Sequence, residues 1–356
     1  MSEKWSHNKE GKIQQMEKTK TEWENLGFTY RKTDKRYIAN FKDGKWNEGI
    51  LTEDHTIVLN ECAGVLQYAQ TCFEGMKAYT TQDGKIVIFR PELNAQRLED
   101  SAKRIHMAPF PKGRFVDAVI QTVKANVAYV PPYGSGGSLY IRPYLFGTNP
   151  VIGVKPAEEF QFRIFTTPVG PYFKGGAKAL TLCVSDFDRA APNGTGNAKL
   201  GLNYAMSLHG LVTANENGFD ENMYLDSATR TKVEETGGAN FIFVTKDNKL
   251  VTPKSETILP SITRRSLMLI AKEYLGLEVE EREVYFEEVK DFAECGLCGT
   301  AAVISPVGKI NDHGNEICFP NSRTGMGPIT KKLYDTLTGI QLGRIKAPEG
   351  WIKVIE

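Results

Sequence analysis

The stretch VGPYFKGGAKA, residues 169–179, breaks the chain in two. Its glycines and its proline suit neither a helix interior nor a central strand, so it reads as a connector. Before it, KIVIFR (85–90), SLYIRPYLFG (138–147) and EFQFRIFTT (159–167) alternate apolar and polar residues and predict strands. Asn94 is placed to cap a helix in which Leu98, Ala102 and Ile105 share a face, with Arg97 and Arg104 on a common side. After the connector, ALTLCVSD (179–186), ENMYLD (221–226) and NFIFVT (240–245) predict strands, the last followed by a turn at KDNK (246–249). A helix follows Lys199, with Leu208, Leu211 and Val212 as its apolar stripe and its end near Gly218. Another follows Pro260, with Leu267, Ile270, Ala271 and Tyr274 on one face and its end at Gly276. The pattern predicts two mixed α/β domains. Residues 1–168 form a small N-terminal α/β domain with a leader, residues 169–179 a linker, and residues 180–356 a larger C-terminal α/β domain. A chain of 356 residues is too long for one small core, and a cleft between two domains is the natural ligand site.

Bulk charge excludes little but points away from a polyanion. The formal net charge is +1, so nothing favours a nucleic-acid partner. No apolar run approaches the ~20 residues of a membrane span. The N-terminal MSEKWSHNKEGKIQQMEKTKTEWENL mixes acids with bases and lacks an apolar segment. It reads as a solvated leader, not a targeting peptide, which places the chain in the cytoplasm. The cysteines, Cys62, Cys72, Cys183, Cys295, Cys298 and Cys318, read as free thiols, mostly buried. Cys295-Gly-Leu-Cys298 is a CxxC followed only by His313, too few ligands for zinc; no metal is expected.

Lys199 is a candidate for the chemistry, set against the plainer reading of an exposed loop lysine, and it needs partners to stand. It sits among small residues in GNAKLGLNYA (196–205), just ahead of a helix. Partial burial and the positive end of that helix both disfavour the ammonium, which makes the amine a nucleophile toward carbonyls. A Schiff-base cofactor such as pyridoxal phosphate also needs a phosphate cup, a carboxylate for its ring nitrogen and a donor for its phenolic oxygen. Ser261 and Thr263 stand at a helix start, where unpaired N–H groups favour an anion, although plain capping by Ser261 accounts for the pattern equally. The Gly299-Thr300-Ala301 turn and Arg97 offer further donors. Glu234 or Glu235 offers the carboxylate, although a solvated acidic turn accounts for the pair equally, and Tyr204 offers the phenol.

The chain order of these parts carries a resemblance. KLGLNY (199–204), ETGGANF (235–241), ILPSITRRS (258–266) and CGTAA (298–302) resemble the branched-chain amino-acid aminotransferases, which are fold-type IV pyridoxal-phosphate enzymes. LQYAQTCFEGMKAY (66–79), FRPELNAQR (89–97), SLYIRP (138–143) and PVGPYF (168–173) agree in the same order, from about residue 28 onward. The resemblance implies a two-domain α/β fold, like that of the D-amino-acid aminotransferases, with the active site between the domains. It implies that Lys199 forms the Schiff base with pyridoxal 5′-phosphate, that Glu235 faces the pyridine nitrogen, and that Tyr204 faces the phenolic oxygen. Arg97, Ile262, Thr263 and Thr300 would hold the phosphate. Phe28, Tyr68, Phe73, Tyr140, Arg142 and Tyr172 would surround the substrate, with Ala301 near its carboxylate. Val154 would reach the neighbouring subunit's site, which implies a homodimer.

The implied reaction exchanges an amino group between branched-chain L-amino acids (leucine, isoleucine, valine) and 2-oxoglutarate, giving 2-oxo acids and L-glutamate. Gly238 departs from many relatives, which carry a hydroxyl or a larger side chain there. The mammalian regulatory CxxC falls here on Ala302 and Ser305, so that switch does not carry over. Rival readings are a D-amino-acid aminotransferase, a pyridoxal-dependent lyase, a non-catalytic relative, and a CxxC redox protein.

Overall fold

The computed structural model describes residue 23, residues 26–170 and residues 178–355. Tyr172 and most of the expected leader lie outside these described residues. In chain order the first part contains β1 (Arg36–Lys42), β2 (Lys45–Trp46), β3 (Ile50–Thr52), α1 (Gly64–Tyr68), β4 (Thr71–Phe73), β5 (Met76–Thr80), β6 (Ile86–Phe89), α2 (Pro91–Arg104), α3 (Lys112–Ala125), β7 (Ser138–Gly147) and β8 (Phe160–Val169). The second part contains β9 (Leu180–Val184), α4 (Gly201–Glu216), β10 (Glu221–Met223), β11 (Asn240–Val244), β12 (Leu250–Pro253), α5 (Ile262–Glu273), β13 (Val279–Arg282), β14 (Glu294–Gly299), β15 (Val303–Asp312), β16 (Asn315–Cys318) and α6 (Pro328–Gln341). Last comes β17 (Ile352–Ile355), which returns to the first sheet and pairs antiparallel with β6.

The first sheet is antiparallel, in the order β17-β6-β5-β7-β8-β1-β2, with β3 on β1 and β4 on β7. SLYIRPYLFG forms β7 with the predicted limits. Pro143 lies inside this central strand, a position that normally excludes proline. Its carbonyl accepts from Glu74 N–H at 2.7 Å, so its missing donor faces the same side, the gap between β4 and β5. The break at Glu74 and Gly75 is therefore where a strand lying beside a proline has to part. Asn94 is a correction: α2 begins at Pro91, whose fixed φ suits a first turn, and Asn94 is buried inside it. Leu98 and Ala102 of α2, with Phe115 and Val119 of α3, cover Leu139, Ile141, Phe162 and Ile164 of the sheet.

The second sheet is mixed, in the order β10-β9-β15-β14-β11-β12-β13, with β16 on β15. One face packs Ile242, Cys298 and Ile304 against Leu267 and Ile270 of α5 and Leu333 and Leu337 of α6. The other packs Phe241, Phe243 and Cys295 against Phe292 and Phe319. Each such side chain contributes roughly 1.5–3 kcal/mol by leaving water. Phe89 and Trp351, from the edge of the first sheet, join the core under α5 and α6, so the two sheets share packing.

Helix α4 follows Lys199 as predicted, but its apolar stripe is a second correction. Leu208 and Val212 are 58% and 51% exposed, whereas Asn203, Ser207, Gly210 and Ala214 are buried. The helix lies too close to its neighbours for large side chains: a Cβ on Gly210 would sit 2.7 Å from Asn222 Nδ2 and from Tyr224 OH.

The CxxC is not a redox pair. Cys295 and Cys298 stand three apart on β14 and pack into opposite cores. Three strand residues span about 10 Å, beyond disulfide reach. Burial also pushes both thiols up, Cys298 to about 12, away from the reactive thiolate.

Candidate active site

Lys199 ends a short loop held by the first sheet. Its N–H donates to Ser101 Oγ on α2 at 2.9 Å, and its carbonyl accepts from Phe73 N–H at 3.1 Å. With both backbone groups fixed, the half-buried side chain has a defined origin. Its Nζ donates to Tyr204 OH at 2.6 Å and stands 4.7 Å from the centre of the Phe73 ring. Tyr204 lies one helical turn into α4, which is why the spacing KLGLNY puts phenol and amine together.

Glu235 is the buried acid. Its carboxylate accepts from Leu259 N–H at 2.8 Å and Asn240 Nδ2 at 2.7 Å, and pairs with Arg189 Nη2 at 2.6 Å. Burial raises its pKa to about 7, against the pull of Arg189 and the Leu259 N–H. Glu234, equally buried, turns instead to Ser255 and Thr257. Asn240 had no separate signal in the sequence, and Arg189 none at all; the pairing joins residues 46 apart.

A basic cluster marks the start of α5. Arg97 donates Nε and Nη2 to Glu74 at 2.7 and 2.8 Å, and Nη1 to the Pro260 carbonyl at 3.1 Å. Arg264 pairs with Glu281 at 2.9 Å. Arg265 has no carboxylate partner among the described residues, and its Nε is buried without an acceptor. Ser261 caps α5 by accepting from Arg264 N–H at 3.2 Å, which leaves the first N–H groups, those of Ile262 and Thr263, for another acceptor. Thr300 lines the same small cavity as Ile262, Thr263 and Gly75. The surplus of positive charge and unpaired donors suits an anion. Glu74, lodged in the apolar run TCFEGM, is the residue that sequence reasoning passed over; a lone acid in such a run is itself a signal of a buried pair.

The aromatic wall is assembled around Arg142. The guanidinium lies 4.7 Å from the Phe73 ring centre and 5.2 Å from that of Tyr140. It donates Nη2 to Tyr140 OH at 2.8 Å, and its buried Nε has no acceptor among the described residues. Phe28 packs edge-on to Tyr140 at 5.3 Å. A Cβ on Gly75 would lie 2.3 Å from Tyr140 OH, so any larger residue there has to displace the phenol. Ala301 accepts from Lys77 Nζ at 2.7 Å. Two expected members stand apart within the chain: Tyr68 donates to the Ile152 carbonyl, and Val154 is 91% exposed.

An amine beside a phenol, a buried acid, an anion cup and a cation in an aromatic recess thus converge from both sheets. The family model "Amino-transferase class IV" matches residues 71–310, the span that contains all of them except Phe28. The branched-chain-amino-acid aminotransferase of Haemophilus influenzae is 53% identical over 340 residues, covering 94% of this chain and 99% of that one. The chain belongs to the class IV aminotransferase family.

Solved class IV aminotransferase structures share the fold. The Escherichia coli branched-chain amino acid aminotransferase superposes with a TM-score of 0.76 at 28% identity, covering 91% of this chain and all of that one. The branched-chain amino acid aminotransferase from Thermobaculum terrenum, solved in its PLP-form, gives 0.74 at 28% identity, covering 91% of this chain and 100% of that one. No helix among the described residues is long and apolar enough to cross a membrane.

Proposed function

We propose that this aminotransferase exchanges amino groups between branched-chain L-amino acids (leucine, isoleucine and valine) and 2-oxoglutarate, giving branched-chain 2-oxo acids and L-glutamate, with pyridoxal 5′-phosphate as its cofactor. The observation that carries the reading is one recess holding the Lys199–Tyr204 pair, the Phe73 ring and Arg142. The names of the relatives and the PLP-form of a solved neighbour support it.

The residues fit the cofactor. Arg97, Thr263, Thr300 and the N–H groups of Ile262 and Thr263 would hold its phosphate, beside Arg265, which donates to the Pro260 carbonyl. Glu235 would hold a proton on the pyridine nitrogen; a cationic ring opposite favours the ionised carboxylate, as Arg189 already does. Tyr204 would donate to the phenolic oxygen. When bound, the cofactor supplies an aldehyde and an electron sink. Lys199 takes the proton from the substrate α-carbon and returns it elsewhere, its Nζ aimed by Tyr204. Phe28, Phe73, Tyr140 and Tyr172 meet an apolar side chain; Arg142 and Tyr140 OH meet the second carboxylate of glutamate, with Ala301 beside the first. A site offering both surfaces accepts both substrates in turn.

The same reading includes the division into two domains at 169–179, a homodimer, and a place in the cytoplasm. The exposure of Val154, Tyr68 and the apolar residues of α4 is what a second copy would cover. The test is the visible spectrum of the purified protein. A yellow band lost on adding L-leucine and restored by 2-oxoglutarate is expected. A band silent to L-leucine would overturn the substrate, and no band after adding pyridoxal phosphate would overturn the role of Lys199.

A further inference from the structure

Lys77 lies on β5, opposite Tyr140 on β7, and is 7% exposed. No carboxylate pairs with it among the described residues, and burial alone lowers its pKa to about 8. A buried ammonium without an acid is unfavourable, and a methionine would fill the space without that penalty. The charge therefore has a use. Its Nζ donates to the Ala301 carbonyl at 2.7 Å, across the junction between the two sheets.

That carbonyl belongs to the turn Thr300–Ala301–Ala302, which joins β14 to β15. The turn is closed by Val303 at φ +66, a left-handed conformation that a β-branched residue adopts only under constraint. Thr300 Oγ1 donates to the Gly75 carbonyl at 3.4 Å. Both bonds run from one short segment, residues 75–77, to one strained turn, and the same cavity opens onto Thr263 at the start of α5.

We propose that Lys77 is a positioning residue: it clamps the Thr300–Ala301–Ala302 turn to the first sheet and adds positive potential where the turn meets the cofactor phosphate and the substrate carboxylate. This rests on the transamination reading above, but the clamp itself does not. The titratable groups around Lys77 are few. Tyr140 faces it from β7, Tyr79 follows on β5, Glu74 is taken by Arg97, and the turn presents only backbone and a hydroxyl. Loss of the Lys77 proton therefore weakens the clamp as pH rises through about 8.

Lys77→Met and Lys77→Arg are compared with the unaltered chain by two readouts. In the cofactor-free protein, hydrogen exchange across residues 299–304 is expected to quicken about tenfold in the Met variant and to stay near the unaltered rate in the Arg variant. In the holoenzyme, Lys77→Met is expected to raise KM for both L-leucine and 2-oxoglutarate about tenfold, with kcat within about threefold, and to lose an alkaline fall in kcat/KM near pH 8 that Lys77→Arg shifts upward. Unchanged exchange in Lys77→Met overturns the clamp. Faster exchange with unchanged KM and pH profile overturns the positioning role. A wild-type holoenzyme without transamination overturns the preceding reading, while exchange still decides the clamp. Should the Met variant not fold, protection of 299–304 in the unaltered chain, corrected for base catalysis, must fall above pH 8; constant protection overturns the proposal.

Discussion

Glu235 and Arg189 meet at 2.6 Å with 4% and 5% of their side chains exposed, and the same arginine nitrogen also reaches the carbonyls of Gly196 and Thr257. Arg189 thereby ties the acid to two loops, one of which leads to Lys199. The acid and the amine are placed by one cation that neither touches in sequence.

Glu235→Gln keeps the volume and removes the charge. The folded pKa, about 7, lies above the ordinary carboxylate value, so between about pH 4.5 and 7 the folded state binds more protons than the unfolded one. Stability of the cofactor-free protein therefore falls as pH rises through that window, by a few kcal/mol, roughly 3. The Gln variant is expected to show a flatter profile in urea unfolding at pH 5 and 7.5. It is also expected to lose about a hundredfold in kcat, since a neutral amide does not hold the ring proton. An unchanged kcat would remove Glu235 from the chemistry.

Gly75→Ala puts a methyl 2.3 Å from Tyr140 OH. Overpacking of this kind costs about 1–3 kcal/mol. The phenol has to move, and with it the bond to Arg142. Melting temperature is expected to fall by a few degrees and KM to rise for both substrates. A variant with native KM would mean that Tyr140 can shift without consequence.

Arg142→Met keeps an apolar contact with Phe73 and Tyr140 but removes the cation. The loss should fall on the dicarboxylate: KM for 2-oxoglutarate is expected to rise about tenfold or more, and that for L-leucine much less. Equal losses on both would show that Arg142 does not discriminate between them. Steady-state kinetics with each substrate varied in turn decides this.

Oxidants are expected to leave the aromatic recess untouched. With Cys295 and Cys298 on opposite faces of β14, diamide treatment should not join them, and kcat should match that of the reduced protein within about twofold. A Cys295–Cys298 crosslink in a peptide map would contradict the strand register.

The sequence was most legible where local chemistry is decisive. The alternation of SLYIRPYLFG set β7, and Pro260-Ser261 set the start of α5, because period and capping act within a few residues. Lys199, Tyr204 and Glu235 could be named because the chain order of their motifs carries a family resemblance; the spacing alone left the lysine a weak signal and Glu234 and Glu235 undecided. Arg189, Glu74 and Lys77 were missed for the opposite reason: each acquires meaning from a partner more than twenty residues away; Asn240 lies only five residues from Glu235, but nothing local says that an amide there will face the acid. Asn94 and α4 misled because a cap and an apolar stripe are local signals that packing overrode. Asn94 is drawn inward to Glu74 at 2.7 Å, and α4 turns its small residues toward Tyr224.

The return of residues 352–355 to the edge of β6 bears on biogenesis. As the chain leaves the ribosome, β6 presents a bare edge until all of the second sheet and α6 have been made, and such edges recruit other strands. A fragment stopping at residue 170 would keep that edge permanently, open to pairing with strands of other chains.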